Sequence, residues 1–300
     1  MSLLTIFTAP KSFTDPHIDI IQRNAIQSWL HLGTEVEVLL VGDEPGMRQV
    51  ANEYKVQQLP DVACNQAGTP LVSSIFDLAR RASQTPLLAY LNADILLLPD
   101  FVAAAKQVVR QLENFLLIGQ RWDLDVRNLM DFSPGWEKRL ASDMVARGQM
   151  HLPAGSDYFI FSRSQFTDIP DFAIGRAGWD NWMIYHARQK GWPVVDGTPS
   201  IRVIHQDHDY RLLPGGKPHY EQPESHHNES LAGGSANLYM VLDSNRQLRN
   251  GEIARPKITL LRTLRRTEVL LTPPNGERRG FRWSLARQAR RLRRKLTGSL

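Results

Sequence analysis

Short apolar runs alternate along this chain with longer segments whose apolar positions recur at helical spacing. Continuous apolar runs predict buried strands at residues 3–8, 36–41, 87–91 and 115–118. Between these runs, apolar side chains recur every three or four residues and predict helices over residues 17–32, 71–82 and 99–112. Strands that alternate with helices predict an α/β fold with a mostly parallel, doubly wound, Rossmann-like sheet.

The pattern changes after residue 120, where polar and Trp-bearing stretches become common. The elements predicted in this part are helices over 137–147 and 177–190 and strands at 158–161, 194–195 and 201–204. Residues 206–227 are rich in Pro, Gly and His and are predicted to form a loop. We therefore expect a smaller second half that completes one domain ending near residue 245.

Two short oxygen-bearing side chains follow the strand predicted at residues 87–91. Asn92 and Asp94 are separated by one residue, so on an extended chain both side chains point the same way. In open α/β sheets the carboxyl ends of the strands are where ligands bind. Mg²⁺ and Mn²⁺ prefer such oxygens and often share them with substrate phosphates. The alternative is an ordinary strand-to-turn junction, where Asn and Asp are also common.

The charge of the chain is concentrated at one end. The formal net charge is +5, but residues 278–300 contain eight Arg, one Lys and no acid, and this +9 segment leaves the remainder at −4. A mildly acidic body without an aromatic-rich platform argues against nucleic acid as a partner. The single Cys64 excludes an internal disulfide, and the first residues show no basic stretch before an apolar run. We therefore expect a cytoplasmic protein.

The motifs together resemble those of GT-A-type glycosyltransferases, which transfer a sugar from a nucleotide-diphospho-sugar. The resemblance spans about residues 3–240 and comprises a Thr8-Ala9-Pro10-Lys11 loop, the Asn92-Ala93-Asp94 triplet, Gly155-Ser156-Asp157-Tyr158, Gly178-Trp179-Asp180-Asn181-Trp182 and the motif His205-Gln206-Asp207-His208-Asp209-Tyr210. It implies a GT-A-type fold whose nucleotide-binding half is residues 1–120 and whose acceptor-side half is residues 121–245. It also implies a divalent cation, Mn²⁺ or Mg²⁺, and a UDP-sugar as the donor.

The resemblance assigns roles to the residues of these motifs. The first strand and its loop, with Thr8, Ala9 and Pro10, would hold the nucleotide, and the triplet Asn92, Ala93 and Asp94 would bind the metal on the diphosphate. The family usually has Asp-x-Asp here, so the neutral Asn92 contributes less to the metal or contacts ribose instead. A late histidine, His205 or His208, would complete the metal site. The alternative for this histidine motif is a solvated polar loop.

Asp180 is the candidate general base for the acceptor hydroxyl. It lies at the predicted start of a helix, where the helix dipole favours the ionised carboxylate that a base requires. The alternative is a helix N-cap, since Asp is among the best capping residues. Such a base fits an inverting reaction, although a retaining one stays open.

The remaining candidates have structural alternatives of equal weight. Trp179 and Trp182 stack on sugar rings or pack in the interior, and Asn181 lies between them. Asp157 binds sugar hydroxyls or closes a turn. Asp43 follows the second strand, and like Thr8 it contacts the base or ribose or caps a strand end. Arg121 follows another strand and is a candidate for the diphosphate.

The segment after residue 245 lies outside the resemblance. Within residues 278–300, one helical face carries Phe281, Leu285, Ala289, Leu292 and Leu296, while Arg and Lys fill much of the rest. A basic amphipathic helix predicts peripheral binding to an anionic membrane surface, and a disordered basic tail is the alternative. The acceptor would then be a glycan, a lipid-linked molecule or another compound with a hydroxyl group.

Two other classes of function stay open at this stage. A nucleotidyltransferase uses a similar sheet, but its first loop needs glycines, and the loop that begins at Thr8 has none before Pro16. A non-catalytic module that binds a sugar or a membrane would keep the fold without turnover, which the unusual Asn92 allows.

Overall fold

The computed structural model describes residues 2–208, 219–272 and 279–297. The strands are β1 (Leu4–Thr8), β2 (Val36–Val41), β3 (Gln57–Leu59), β4 (Leu87–Leu91), β5 (Ile95–Leu97), β6 (Leu116–Ile118), β7 (Trp122–Leu124), β8 (Gln149–Met150), β9 (Tyr158–Ser162), β10 (Val194–Asp196), β11 (Val203–Gln206), β12 (Arg246–Arg249) and β13 (Glu252–Ala254). The helices are α1 (Pro16–Leu30), α2 (Met47–Tyr54), α3 (Val72–Ala82), α4 (Asp100–Val109), α5 (Trp136–Arg147), α6 (Trp179–Gln189), α7 (Pro223–Leu231), α8 (Leu260–Leu271) and α9 (Gly280–Thr297).

The large sheet has the strand order β13-β12-β10-β6-β9-β4-β1-β2-β3. Strands β4, β1, β2 and β3 are parallel, and β9 runs antiparallel between β4 and β6. The central strands β1 and β4 are fully buried, because side chains on both faces are covered by helices. The predicted α/β fold with a mostly parallel sheet is therefore confirmed.

Helices pack on both faces of the large sheet. On one face, Trp29 of α1 and Phe101 of α4 join a buried core with Ala89 of β4. On the other face, Phe76 of α3 stacks on Tyr90 of β4, with ring centroids 5.6 Å apart. Because the helices cover the two faces of the sheet, they leave the carboxyl ends of the parallel strands uncovered at one edge, where the connecting loops meet.

Local sequence signals fix the start of α1. Asp15 precedes the helix, and its Oδ1 accepts hydrogen bonds from two backbone N–H groups of the first turn. Pro16 occupies the first helical position, where its missing N–H costs no hydrogen bond. The buried side chains that follow recur at spacings of three and four residues, so one face of the helix covers the sheet.

A second, smaller sheet has the order β5-β11-β7-β8. Strand β11 is antiparallel to β5 on one side and parallel to β7 on the other. The sequence pattern does not predict β5, β7 or β8, because strands of two or three residues are too short for periodicity to appear. This sheet is the element that assembles the candidate site.

The later part of the chain differs from the prediction in two places. The segment 206–227, predicted as a loop, contains the first turns of α7, which begins at Pro223. Strands β12 and β13 extend the large sheet through the β10–β12 pairing, so the sheet continues past the domain end predicted near residue 245. Residues Asp209 and Tyr210 of the late motif lie outside the described residues, as do Arg278 and residues 298–300.

The carboxyl-terminal part forms a pair of helices. Helix α8 packs along α9, and the predicted tail helix within 278–300 is present as α9. No described helix is long and apolar enough to cross a bilayer.

Candidate active site

The site lies at the carboxyl edge of the parallel strands, where the two sheets meet. Asp94 falls between β4 of the large sheet and β5 of the small one. In the small sheet His205 is opposite Ile95 on one side and Asp123 on the other. Register partners on neighbouring strands lie side by side, and Asp94 directly precedes Ile95. Asp94, Asp123 and His205, which are far apart in sequence, therefore lie close together.

Asp94, His205 and His208 form a cluster with one carboxylate and two imidazoles. The Nε2 atom of His208 lies 3.0 Å from Asp94 Oδ2, and the Nε2 atom of His205 lies 3.6 Å from the same oxygen. One ligand atom from each residue lies within 4.8 Å of the other two. The predicted metal ligands Asp94, His205 and His208 are thus brought together by the fold.

The chemistry of this cluster fits a divalent cation. Asp94 Oδ1 is buried and has no hydrogen-bond partner among the described residues, and a buried carboxylate oxygen is costly to leave without one. A metal ion bound between the carboxylate and the two imidazoles would satisfy it. A mixed set of one oxygen and two nitrogen ligands suits Mn²⁺ better than Mg²⁺, which favours oxygen ligands alone.

The charges in the cluster stabilise the ionised carboxylate. Burial by itself would raise the pKa of Asp94, but His205 and the hydrogen bond with His208 outweigh it and lower that pKa below its ordinary value of 3.8. Burial by itself would lower the pKa of His205. The carboxylates of Asp94 and Asp123 outweigh this effect and raise that pKa. Asp94 is therefore present as the anion that a metal ligand must be.

Asp123 supports the cluster from the neighbouring strand β7. Its Oδ1 lies 3.3 Å from His205 Nδ1, while its Oδ2 lies 2.7 Å from His151 Nδ1. The Nε atom of Arg121 donates to Asp123 Oδ1 at 2.8 Å. A histidine that binds a metal through one ring nitrogen usually faces a carboxylate with the other, which fixes its orientation. Asp123 has this position relative to His205.

A second group of possible ligands shares His205. Asp123, His205 and Asp207 also bring one atom each within 4.8 Å of one another, with Asp207 Oδ1 3.6 Å from His205 Nδ1. The Nδ1 atom of His205 faces Asp123 and Asp207, and its Nε2 atom faces Asp94. The His205 ring therefore belongs to both groups of possible ligands. Each group contains a buried polar atom that has no hydrogen-bond partner among the described residues: Asp94 Oδ1 in the first and His205 Nδ1, which faces the second. The first group consists of the residues predicted as metal ligands.

Asn92 has a role different from that of Asp94. Its amide nitrogen donates to Asp157 Oδ1 at 2.8 Å, and its Oδ1 accepts from the Tyr90 hydroxyl at 3.3 Å. Arg121 also donates to Asp157 Oδ1, at 2.7 Å. Both ends of the Asn92 amide thus bind within the protein, and its nitrogen helps to hold Asp157. An amide oxygen with one hydrogen bond can accept a second, so its contact with a cation or ribose stays a prediction.

Asp180 lies in the first turn of α6, as predicted. Burial raises its pKa from 3.8 to about 6, and Asp157 adds to this, although backbone N–H groups at the helix start act against it. Gly155 approaches closely, since a Cβ there would lie 2.2 Å from Asp180 Oδ2. A carboxyl with a pKa near neutrality, close to a site that binds substrate, has the property of a general base.

Asp94 and Asp180 both act electrostatically on Tyr90. Burial raises the pKa of Tyr90, and the carboxylates of Asp94, Asp157 and Asp180 all add to that increase. The Tyr90 hydroxyl donates to Asn92 Oδ1 at 3.3 Å, and the Asn92 amide nitrogen donates to Asp157 Oδ1. The three carboxylates therefore act on the same buried hydroxyl.

The structure corrects the predictions for three residues of the Gly178–Trp182 motif. Trp179 is 5% exposed and packs edge-on against Tyr90, with ring centroids 5.0 Å apart. Trp182 is 7% exposed and packs against His186. Rings buried in the core cannot stack on a sugar, so the packing alternative holds for both. The Asn181 amide donates to the Tyr239 carbonyl at 2.6 Å and so anchors a loop rather than the acceptor.

The predicted nucleotide residues lie at the ends of β1 and β2. Thr8 is fully buried, and its Oγ1 has no hydrogen-bond partner among the described residues. Ala9 is half-buried and Pro10 is buried. Asp43 is exposed and accepts from Gln58 Nε2 at 3.0 Å. Their contact with a nucleotide stays a prediction.

The sequence alone does not identify the groups that support the metal cluster. Asp123 follows the candidate Arg121 but shows no pattern that marks it, and His151 stands in a polar stretch far from the motifs. Only the pairing of β7 with β11 and β8 shows that Asp123 lies beside His205 and that His151 follows the adjacent strand. Asp207 belongs to the late motif, and its spacing of two from His205 is the available signal.

No family model matches this chain, and no curated protein matches it. Similar solved structures include glucosyl-3-phosphoglycerate synthase from Mycobacterium tuberculosis with Mg²⁺ and UDP, at 14% identity and a TM-score of 0.48, covering 86% of this chain and 87% of that chain. The same synthase with Mn²⁺, UDP and phosphoglyceric acid gives 15% identity, a TM-score of 0.48 and 86% coverage of both chains. TarS from S. aureus gives 13% identity and a TM-score of 0.41, covering 70% of this chain and 58% of that one.

The two synthase structures contain UDP together with Mg²⁺ or Mn²⁺. Likeness at this level carries no argument about activity, and the proposal below rests on the side chains of the site.

Proposed function

We propose that this protein is a metal-dependent glycosyltransferase that moves a sugar from a nucleotide-diphospho-sugar, most simply a UDP-sugar, to a hydroxyl acceptor. The observation that carries the proposal is the cluster of Asp94, His205 and His208 at the ligand-binding edge of a parallel sheet. A second carboxyl, Asp180, lies in the first turn of α6 and has a pKa raised to about 6. A diphosphate leaving group and a hydroxyl nucleophile need these two kinds of group.

Asp94, His205 and His208 would hold the cation. When bound, Mn²⁺ or Mg²⁺ neutralises the negative charge that develops on the departing diphosphate. Asp94 would be ionised at neutral pH, because its pKa lies below the ordinary value of 3.8, and each histidine would bind the cation as the neutral imidazole. Asp123 orients His205 from the opposite ring nitrogen, and His151 and Arg121 hold Asp123 in turn.

Asp180 would act as the base of an inverting reaction. Its carboxylate takes the proton of the acceptor hydroxyl while the hydroxyl oxygen forms a bond to the anomeric carbon. The bond from that carbon to the diphosphate oxygen breaks on the opposite face, and the nucleoside diphosphate leaves with the electron pair. A pKa of about 6 leaves Asp180 mostly ionised at neutral pH while keeping it basic enough to accept a proton.

Asp157 would bind sugar hydroxyls. Asn92 and Arg121 both donate to its Oδ1, so this carboxylate is fixed before the sugar arrives, which lowers the entropy cost of binding. At the ends of β1 and β2, Thr8, Ala9, Pro10 and Asp43 would face the base and ribose.

The first test measures hydrolysis of UDP-sugars with and without Mn²⁺, together with calorimetric binding of UDP. We expect turnover and tight UDP binding only with the metal. Asp94→Ala should abolish metal-dependent binding, while Asp77→Ala, at an exposed position in the middle of α3, should retain it. Unchanged binding by Asp94→Ala in Mn²⁺ would refute the assigned site.

A second test separates chemistry from binding. Asp180→Asn should bind donor normally but transfer at least about a hundredfold more slowly, because the general base is lost. Normal transfer by this variant would show that Asp180 only caps α6. Consumption of nucleoside triphosphates would favour the nucleotidyltransferase, and binding of UDP-sugar without any turnover would favour a non-catalytic module.

The cellular location follows from the same reaction. A donor of this class and a reduced Cys64 agree with a cytoplasmic protein, and localisation of a tagged full-length chain by fractionation tests this. A thermal-shift screen of UDP-, GDP- and other nucleotide sugars with Mn²⁺ identifies the nucleotide.

A further inference from the structure

The pair of helices α8 and α9 exposes more apolar surface than its packing requires. Large apolar side chains that point to solvent include Leu260 at 59% exposure, Phe281 at 77%, Leu292 at 46% and Leu296 at 51%. Leu264, Leu271 and Leu285 are half-buried beside them. An apolar cluster of this size on a protein surface commonly marks an interaction site.

Ion pairs fix which side of the pair faces the body of the protein. In α8, Arg262 binds Asp196 at 2.7 Å and Arg265 binds Asp243 at 2.8 Å. Glu268, which is 2% exposed at its side chain, receives Arg290 at 2.7 Å and Arg293 at 3.2 Å from α9. Helix α8 is therefore held to the body by its arginines, and α9 is held to α8 by a buried glutamate.

The helical period groups the apolar residues of each helix into a stripe, and we call the two stripes together the outer face of the pair. On α8, Leu260, Leu264 and Leu271 are spaced by four and seven residues and share a stripe on the side away from Arg262 and Arg265. On α9, a stripe with spacings of four, seven and four lies next to the side that packs on α8, and it consists of Phe281, Leu285, Leu292 and Leu296. Ala289, predicted to belong to this stripe, is buried at the contact with α8 instead.

Exposed cations lie on the same two helices, and on α9 the helical period places Lys295 and then Arg291 closest to the apolar stripe. Arg266, Arg279, Arg287, Arg291 and Lys295 are exposed, and the ion pairs found among the described residues include none of them. The described part of α9 carries no acid. Apolar side chains bordered by cations complement an anionic lipid surface, where the apolar groups enter the interface and the cations meet the headgroups.

We propose that the outer face of the α8–α9 pair docks on an anionic membrane surface. Both helices take part, which distinguishes this surface from a single tail helix lying alone at the membrane. The membrane-facing layer is rigidly joined to the body through Arg262, Arg265 and Glu268, so docking would hold the catalytic domain at a fixed orientation. The inference does not depend on the proposed transfer reaction, because lipid binding needs no donor.

Co-sedimentation with vesicles tests the proposal. The full chain should bind vesicles of phosphatidylcholine with phosphatidylglycerol, bind poorly to phosphatidylcholine alone, and be released by high salt. A Phe281→Ser, Leu292→Ser variant should bind about tenfold more weakly, since it loses two large side chains that enter the interface. An Arg291→Gln, Lys295→Gln variant should lose a similar factor on anionic vesicles.

The control is Val145→Ser, which removes an equally exposed apolar side chain, 75% exposed, from α5. It should bind vesicles as the unchanged protein does. All variants should keep their circular dichroism spectrum and metal-dependent donor hydrolysis, so failure of this proposal and failure of the proposed function give different results.

Three results would overturn the proposal. The full chain does not sediment with anionic vesicles, or both surface variants bind as strongly as Val145→Ser. The chain forms a dimer that Phe281→Ser, Leu292→Ser dissociates, which would assign the face to a second copy. The chain binds nucleic acid through the cationic border but ignores vesicles.

Discussion

Replacing Asp180 with Asn preserves the shape of the side chain and removes a charge that the fold disfavours. Burial and the nearby Asp157 raise the pKa of Asp180 from 3.8 to about 6. Above pH 6 the residue is ionised in the folded and unfolded chains alike, and a pKa difference of this size corresponds to about 3 kcal/mol. Asp180→Asn should therefore increase the free energy of unfolding at neutral pH by up to about 3 kcal/mol.

The pH dependence of this stability difference independently checks whether Asp180→Asn stabilises the protein. As the pH falls through 6, Asp180 of the folded protein is protonated first, so the unmodified chain recovers stability relative to the variant. Below 3.8 the carboxyl is protonated in both states and the advantage of Asn is lost. The difference between the two proteins should thus be largest above pH 6 and should shrink toward acid.

Urea unfolding at neutral and acidic pH measures this difference. The control is Asp61→Asn, because Asp61 is exposed and its replacement should change stability by less than about 0.5 kcal/mol. If Asp180→Asn is less stable than the unchanged protein at neutral pH, the carboxylate stabilises the start of α6. Asp180 would then be a helix cap, and the reasoning that makes it a strained general base would be refuted.

Three further predictions address the surroundings of the metal and the base. Asp123→Asn should weaken Mn²⁺ binding by roughly 10- to 100-fold in calorimetry, because His205 loses its orienting carboxylate; unchanged affinity would contradict this role. Gly155→Ala should lower the transfer rate by about a hundredfold, since a Cβ there lies 2.2 Å from Asp180 Oδ2 and must displace it; a normal rate would show that the carboxyl moves freely. Transfer at saturating donor should fall about tenfold for each pH unit below 6, where Asp180 becomes protonated; a flat profile down to pH 4 would exclude it as the base.

The long, regular elements could be predicted from the sequence. Strand β4 has the bounds that its apolar run predicts, and α1 and α3 differ from their predicted bounds by one or two residues. These segments bury whole faces, so the spacing of their apolar residues reports their structure directly. Asp94 could be identified for the same reason, because it follows a buried strand at the edge where ligands bind.

The parts that could not be predicted depend on contacts between distant segments. The β7 strand has three residues, too few to show a period, and its position beside β11 is what gives Asp123 its role. Trp179 and Trp182 illustrate the opposite error. Because both residues are close to Asp180 in the sequence, they were candidates for the site. The turn of α6 instead directs both rings into the core, against Tyr90 and His186.

The central position of β11 has a consequence for the order in which the site forms during synthesis. Strands β5 and β7 each pair with β11, and they do not pair with each other. A ribosome releases Asp94 and Asp123 long before residues 203–206, so a growing chain carries both acids without the strand that joins them. The candidate cation-binding residues therefore become complete only after about two thirds of the polypeptide has been made. An amino-terminal fragment ending before β11 would retain the Asn-Ala-Asp triplet yet lack both candidate histidine ligands.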